Sequence, residues 1–212
     1  MKSRLYLILL LFVASVGVLI WLYNGKALTP RRHARSTWHE IVVDLEACGR
    51  RKHLKARQYD RFAEIAAVEG RPDAERIFRA IAFSEHLQEQ HLSAAIRRLG
   101  GEYQPPREIA LYGGDTDENL IRCLAFERSR YARRSDAEIR RAMSRDNRYA
   151  ARLLIWASAA DLREILLLER RLEVGPEQLA VCPVCGNLYT VVRLDRYCPH
   201  CLTPDEAFIR FE

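Results

Sequence analysis

The sequence lacks the short motifs that identify many nucleotide-binding enzymes and hydrolases. It contains no glycine-rich phosphate loop and no nucleophile elbow, so neither class of enzyme is indicated. It also shows no short-period internal repeat. Neither of its two CxxC motifs is followed by histidine, so covalent attachment of c-type haem is not indicated.

Cysteine is scarce outside one short segment of the chain. Of six cysteines, only Cys48 and Cys123 lie outside the C-terminal tail, each within a predicted helix. These helices run antiparallel in a bundle with a crossover connection, so the two thiols fall on opposite sides of its centre. We therefore expect no disulfide between them and interpret both as small core residues. Nothing in this pattern requires an oxidising compartment.

Negatively charged residues are fewer than positively charged ones in this chain. It has 28 Asp and Glu against 34 Lys and Arg, a formal net charge of +6, which suggests an anionic partner or surface. The arginines are densest in the third predicted helix, where a nucleic acid or a lipid surface is conceivable. No stacking aromatic residues or known binding motif accompany them. We favour a solvated, salt-bridged face or a protein-docking surface, and expect no nucleic-acid partner.

One long hydrophobic run lies near the N-terminus. Residues 5–23 are 19 positions without a charge. As a helix they span roughly 28 Å, enough to cross a bilayer core of about 30 Å. We predict a transmembrane anchor there, between a basic N-terminus at 1–4 and a basic linker at 24–37. The alternative is a signal peptide cleaved near the small residues 15–17. The basic residues favour a single-pass membrane protein with its body on the cytoplasmic side.

From residue 38 onward the hydrophobic periodicity predicts a mostly α protein. Gly70 suits the position just past the end of a helix, and Pro72 suits the first turn of the next. A glycine- and proline-rich stretch between the second and third helices is long enough to run the length of a bundle, so we predict a crossover. The predicted bundle covers 38–173, ahead of a linker at 174–180, with helices at 38–70, 72–100, 117–145 and 148–172.

The C-terminal tail, residues 181–212, has the clearest site signal. The stretch VCPVCGNLYTVVRLDRYCPHC contains two CxxC motifs separated by 12 residues. Two thiolates from each motif can surround one ion tetrahedrally, which suits Zn²⁺ or a single iron. The spacing alone does not choose between the two metals. The predicted metal ligands are Cys182, Cys185, Cys198 and Cys201.

The order of these parts resembles the rubrerythrin family over about residues 40–212. The resemblance is carried by CPVCG, CPHC and AFIRFE in the tail, and by YDRFAEIAAVEG, IFRAIAFSE and NLIRCLAFE in the bundle. It implies a ferritin-like four-helix bundle with a di-iron centre, followed by a small rubredoxin-like or zinc-ribbon-like domain. It further implies peroxide reduction, with electrons passing from the rubredoxin-like centre to the di-iron centre, and a homodimer.

Carried over residue by residue, the family's di-iron ligand positions are only partly kept in this chain. Both histidines are missing, replaced by Gln88 and Glu164. Two glutamates are replaced by the cations Lys52 and Arg130, and another by Asp161. The full set of corresponding positions is Lys52, Glu85, Gln88, Glu127, Arg130, Asp161 and Glu164.

Four carboxylates therefore remain in the predicted bundle core, where they are costly without neutralising charge. We expect Lys52 and Arg130 to supply part of that charge as internal ion pairs; the alternative is that one of them points to solvent. The remaining two negative charges would be balanced by one divalent ion or by protonation. His86 and His91 lie near a lost ligand position, and we expect both to be solvated rather than turned inward. On this basis we expect no di-iron centre.

Two functions follow as expectations. The first is a membrane-anchored, rubrerythrin-like metalloprotein that transfers electrons through one iron bound by the four cysteines, with a degraded di-iron site that puts peroxidase activity in doubt. The second is a non-enzymatic structural or assembly subunit with zinc at the four cysteines. The expected partners are the membrane, through the N-terminal helix, and a further protein or a second copy of the chain.

Overall fold

The protein is mostly helical, with a small sheet at its C-terminal end. The computed structural model describes residues 15–16, 30–132, 136–174 and 178–212. Its contacts divide the chain into residues 1–40 and 41–212, and the features discussed below belong to the second unit. The helices are α1 (Pro30–Val68), α2 (Pro72–Arg98), α3 (Thr116–Ala132), α4 (Ala137–Ser144) and α5 (Arg148–Val174).

The turn between α1 and α2 has the chemistry that the sequence predicts. Gly70 has a φ of +66°, a left-handed conformation that costs glycine little. Its N–H donates to the carbonyl of Ala67 at 3.2 Å, and the N–H of Arg71 donates to that of Ala66 at 2.8 Å. This pair of bonds is a Schellman motif, and it ends α1 where Pro72 can begin α2.

The predicted crossover runs over residues 99–115, which contain no helix or strand. Its second half is fixed to α1 by Gln58. The Gln58 amide donates to the carbonyl of Tyr112 at 2.8 Å and accepts from the Tyr112 N–H at 2.9 Å. Nearer its start, the Tyr103 hydroxyl donates to Glu89 of α2 at 3.1 Å. The connection is therefore held against the bundle at both ends.

The third predicted helix, 117–145, is two helices in the structure. α3 ends at Ala132 and α4 begins at Ala137, and part of the interval, 133–135, lies outside the described residues. The separate course of α4 brings Arg141 onto Asp44 of α1, with its Nη1 2.7 and 2.8 Å from the two carboxylate oxygens. That long-range ion pair has no signal in the local periodicity.

The sheet has three short antiparallel strands, β1 (Leu179–Val181), β2 (Leu188–Thr190) and β3 (Ile209–Phe211). β1 lies in the middle, with Val181 opposite Leu188 on one side and Ile209 on the other. Leu179, Val181 and Leu188 belong to the same buried apolar cluster as Phe62 and Phe78 of the bundle. The sheet is thus packed on the helices rather than tethered beside them.

None of the helices that the structure describes is long and apolar enough to cross a membrane. This finding contradicts the predicted localisation, a single-pass membrane protein with its body on the cytoplasmic side. The stretch 5–23, on which that prediction rested, lies outside the described residues apart from Ser15 and Val16. The membrane localisation is therefore not retained, and the membrane as a partner, which rested on the same stretch, stays a prediction.

Candidate functional site

The four tail cysteines meet at one point. Cys182 and Cys185 lie between β1 and β2, and Cys198 and Cys201 lie in the loop that precedes β3. Their Sγ atoms all lie within 4.8 Å of one another, with Cys182 and Cys201 at 3.4 Å and Cys185 and Cys198 at 3.5 Å. A tetrahedral ion with bonds of 2.3 Å needs sulfurs about 3.8 Å apart, so this four-cysteine centre fits Zn²⁺ or a single iron.

Several hydrogen-bond donors surround these sulfurs. The Tyr189 hydroxyl lies 3.1 Å from Cys198 Sγ, the Thr203 hydroxyl 3.0 Å from Cys201 Sγ, and the Asn187 amide 3.4 Å from Cys185 Sγ. The hydrogen bond between the thiols of Cys182 and Cys185 lowers the pKa of Cys182 and raises that of Cys185. The thiolate is the form that binds metal, so a metal ion at this centre would displace the protons that these thiols hold.

The four-cysteine centre lies directly against α2. Ser84 donates a hydrogen bond to the carbonyl of Gly186, the residue after Cys185. A Cβ at Gly186 would lie 2.9 Å from Cγ of Gln88, so only glycine allows this approach. Gly186 also has a φ of +76°, which adds a backbone reason for glycine here.

Helix α5 holds the other side of the same domain. The Trp156 indole N–H donates to the carbonyl of His200 at 3.2 Å. The Arg163 guanidinium lies 4.3 Å from the centroid of the Tyr189 ring. The four-cysteine domain is therefore bound to its own chain's bundle through polar contacts from two helices.

A second polar centre lies in the middle of the bundle, and lysine fills it. Lys52 is 2% exposed. Its Nζ lies 2.7 Å from Glu85 Oε1 and 2.7 Å from Asp161 Oδ1. It also donates to the carbonyl of Ala157 at 3.4 Å. The structure thus turns Lys52 inward and pairs it with carboxylates of α2 and α5.

A second lysine, Lys55, makes four carboxylate contacts. Its Nζ lies 2.6 Å from Glu164, 3.0 Å from Asp161, 3.1 Å from Glu127 and 3.4 Å from Glu85. Lys55 is 5% exposed. An ammonium group has three donors and no lone pair, so it neutralises these carboxylates but cannot itself ligate a metal.

The electrostatics of this lysine–carboxylate centre follow from its packing. Burial opposes charge on Lys52, but attraction to Asp161 and Glu85 exceeds it, so the pKa of Lys52 is raised and the ammonium persists. Burial likewise acts to raise the pKa of Asp161, and the two lysines outweigh it and lower that pKa below its usual value. Burial, together with repulsion from Glu85, raises the pKa of Glu164 well above its usual value, which favours its protonated form.

For two carboxylate oxygens in the centre, the described part of the chain provides no hydrogen-bond partner. They are Oε2 of Glu85 and Oε1 of Glu164, both fully buried. Oxygen atoms of Glu85, Asp161 and Glu164 come within 4.8 Å of one another, close enough to form an acidic cluster. Two lysines against four carboxyl groups leave an excess of two carboxyls, and a proton on Glu164 removes half of it.

Arg130 is not the cation that the sequence analysis expected in this centre. Its guanidinium lies 5.2 Å from the centroid of the Phe126 ring, and no ion pair within the described part of the chain includes it. Lys55 takes that place instead. Lys52 and Lys55 are three residues apart in α1, so they share one helix face, and this spacing was the signal that the sequence analysis missed.

The remaining predicted positions lie at the edges of the two centres. Gln88 is 4% exposed, and its amide faces Gly186 with no hydrogen-bond partner from the residues that the structure describes. His86 and His91 are both partly exposed. His86 lies 2.8 Å from Asp60, and Nε2 of His91 is buried with no hydrogen-bond partner among the described residues. Cys48 and Cys123 are both buried, 4% and 5% exposed, and both are free thiols.

No protein-family model and no curated protein matches this chain. Solved structures of nigerythrin, a rubrerythrin, are similar to it. The structure described as fully reduced, all-ferrous nigerythrin shares 22% sequence identity with it, covers 81% of this chain and 86% of its own, and superposes with a TM-score of 0.72. The mixed-valence and partially reduced states have the same coverage, 22% and 21% identity, and TM-scores of 0.67. At this level of identity the likeness shows the fold: a nigerythrin-like arrangement with a four-cysteine cluster at its C-terminal end.

Proposed function

We propose that this chain is a rubrerythrin-like metalloprotein that transfers electrons through one iron bound by Cys182, Cys185, Cys198 and Cys201. The observation that carries the proposal is the convergence of the four Sγ atoms within 4.8 Å, on a nigerythrin-like fold. An iron bound by four thiolates supplies one-electron chemistry. The protein would hold the thiolates, donate hydrogen bonds to them from Tyr189 and Thr203, and exclude most water.

We further propose that the bundle holds no di-iron centre. The resemblance implies a metal ligand at the position of Lys52. Instead, Lys52 and Lys55 place ammonium groups among the carboxylates, at 2.6–3.4 Å. Neither of the two histidine positions holds an imidazole. Charges that metal ions would neutralise are instead neutralised by side chains of the same chain, so peroxide reduction in the bundle is not expected.

The contacts of the four-cysteine domain support a second candidate, a structural zinc centre. Ser84, Gln88 and Trp156 fix this domain to α2 and α5. A metal that holds the two CxxC loops together would thereby stabilise the bundle as well. In this form the chain is a structural or assembly subunit without redox activity. A partner protein or a second copy of the chain is proposed in either case.

Metal analysis of the purified full-length chain, with an optical spectrum, tests these proposals together. About one iron per chain, with thiolate charge-transfer bands, supports electron transfer. About one zinc and no visible colour supports the structural centre. Close to three irons per chain together with turnover of peroxide would contradict the proposal for the bundle.

A Lys52→Glu change tests the lysine–carboxylate centre separately. It leaves one ammonium among five carboxyl groups, so we expect a less stable bundle whose stability increases when Fe²⁺ or Mn²⁺ is added. The readout is the urea midpoint with and without the metal. Arg50→Glu is the control, because Arg50 lies on the same helix and pairs with Glu46 at 3.6 Å on the surface. Unchanged stability and no metal dependence in Lys52→Glu would refute the role given to Lys52.

A further inference from the structure

A groove between α1 and α3 combines apolar walls with cations that neither proposed centre uses. Its volume is about 380 Å³, within the range of about 300–1,000 Å³ typical of small-molecule sites. Leu54 of α1 and Phe126 of α3 form its sides, and Tyr59 and Phe62 form its buried floor. Residues 109–112 of the crossover complete the enclosure.

The groove has a fixed edge. Gln58 makes two hydrogen bonds to the backbone of Tyr112, at 2.8 and 2.9 Å. The Arg122 guanidinium lies 3.5 Å from the centroid of the Tyr112 ring on the α3 side. The crossover segment is therefore attached to both helices that form the groove, so the space is pre-formed.

The charges around this groove favour an anion. Arg122, Phe126 and Arg130 follow one another at four-residue intervals on α3, and all three line the groove. No ion pair found among the described residues involves either arginine, and both guanidiniums lie over aromatic rings. The carboxylate in the lining, Glu127, is already occupied by the Tyr59 hydroxyl at 3.2 Å and by Lys55 at 3.1 Å.

We propose that this groove binds a small amphipathic carboxylate. Its apolar body lies between Phe126, Phe62 and the crossover segment, and its carboxylate is held by Arg130 at the α3 side. Arg122, two helical turns away on α3, adds positive charge to the same wall. The planar guanidinium matches a carboxylate in a two-point hydrogen bond. The apolar floor rejects a fully polar anion, and the two cations reject an amphipathic amine.

Isothermal titration of the metal-loaded full-length chain with decanoate tests this site, with decylamine as the probe of equal chain length and opposite charge. We expect saturable binding of one decanoate per chain and none of decylamine. Arg130→Gln should weaken decanoate binding about tenfold, since it removes one charged hydrogen-bond donor. Arg128→Gln is the matched control, because Arg128 lies on the same helix but pairs with Glu169 of α5 at 2.7 Å.

Phe126→Ala supplies an independent test, because Phe126 is 51% exposed and we therefore expect the fold to tolerate its loss. Loss of this wall should also weaken decanoate binding by about tenfold. The proposal is overturned by equal binding of decylamine and decanoate, or by equal affinity of the Arg130→Gln and Arg128→Gln variants. It is also overturned if decanoate fails to bind and the chain sediments as a dimer that Phe126→Ala dissociates, since a second copy then covers the groove.

Discussion

The four-cysteine centre and the lysine–carboxylate centre are both buried clusters of groups that bind metals in proteins, yet they are completed differently. Around the first, donors such as the Tyr189 hydroxyl point at the sulfurs, and no ion pair found among the described residues involves these four cysteines. In the second, Lys52 and Lys55 place their ammonium groups between the carboxylates. A buried anionic cluster must be neutralised. The two lysines do this for the carboxylates, whereas a bound ion would do it for the four sulfurs.

The largest effect is expected from removing the more heavily paired lysine. Lys55→Met leaves the carboxyl groups of α2, α3 and α5 without their common partner, which should lower the free energy of unfolding by about 3–5 kcal/mol. Urea unfolding followed by circular dichroism measures it. Arg51→Met is the control, because Arg51 lies 3.6 Å from Glu138 with both side chains partly exposed. A surface pair of this kind contributes only about 0–1 kcal/mol. Equal free energies of unfolding for Lys55→Met and Arg51→Met would show that Lys55 does not neutralise the buried carboxylates.

Next in size is the loss of one thiolate from the other centre. Cys198→Ser should reduce the bound metal from about one ion per chain to nearly none, because a tetrahedral site needs all four ligands. The helical signal of the bundle should persist, since its lysines do not depend on that metal. Cys123→Ser is the matched control, a buried thiol of α3 that donates to the carbonyl of Leu120 and lies outside the centre. Loss of the helical signal together with the metal would show that the two centres are not independent.

A smaller effect should appear in the pH dependence of stability. Because burial and Glu85 raise the pKa of Glu164, the folded state binds more protons than the unfolded state above the unfolded pKa of about 4.3. The contribution of Glu164 to stability therefore falls as pH rises from that value to the folded pKa. Glu164→Gln, which keeps a neutral side chain, should flatten this fall.

The control for the pH experiment is Glu64→Gln, because Glu64 is exposed and pairs with Arg61 on the surface. Urea midpoints measured between pH 4 and pH 8 give the two curves. Asp161 acts in the opposite sense. Its lowered pKa gives stability that is present above the unfolded value of about 3.9 and lost as pH falls further. If the urea midpoints of Glu164→Gln and of the unmodified chain changed with pH in parallel, Glu164 would not be protonated in the folded state as described.

The smallest predicted effect concerns the hydrogen bonds to sulfur. In the iron-loaded protein, Tyr189→Phe removes the hydroxyl that lies 3.1 Å from Cys198 Sγ. A donor to sulfur stabilises the reduced, more negative centre, so its loss should lower the reduction potential by tens of millivolts, roughly 1 kcal/mol. Tyr197→Phe, at a ring that is 51% exposed, is the control. No difference between the two variants in a spectroelectrochemical titration would refute this role of Tyr189.

Much of this architecture could be predicted from local sequence signals. The cysteine spacing identifies a tetrahedral site because only four side chains must converge, and each CxxC loop fixes two of them. Gly70 and Pro72 locate the first helix junction because their backbone preferences act locally. The inward position of Glu85 follows from the helical periodicity of α2, and the structure leaves it fully buried.

What the sequence could not provide is the pairing of residues distant in the chain. The expectation that Arg130 neutralises the bundle was wrong because its guanidinium lies over the Phe126 ring, whereas Lys55 reaches carboxylates on three other helices. The break between α3 and α4 accompanies a contact between Arg141 and Asp44, 97 residues apart. The contact of Gly186 with Ser84 and Gln88 likewise depends on tertiary packing alone.

Anomalous diffraction from crystals of the full-length protein, measured at the iron and zinc absorption edges, tests the central claim most directly. The account predicts one strong peak among Cys182, Cys185, Cys198 and Cys201. It predicts no peak between the side chains of Lys52 or Lys55 and the carboxylates around them. A pair of metal peaks in the bundle, with the two lysines turned away from Glu85 and Glu164, would contradict it.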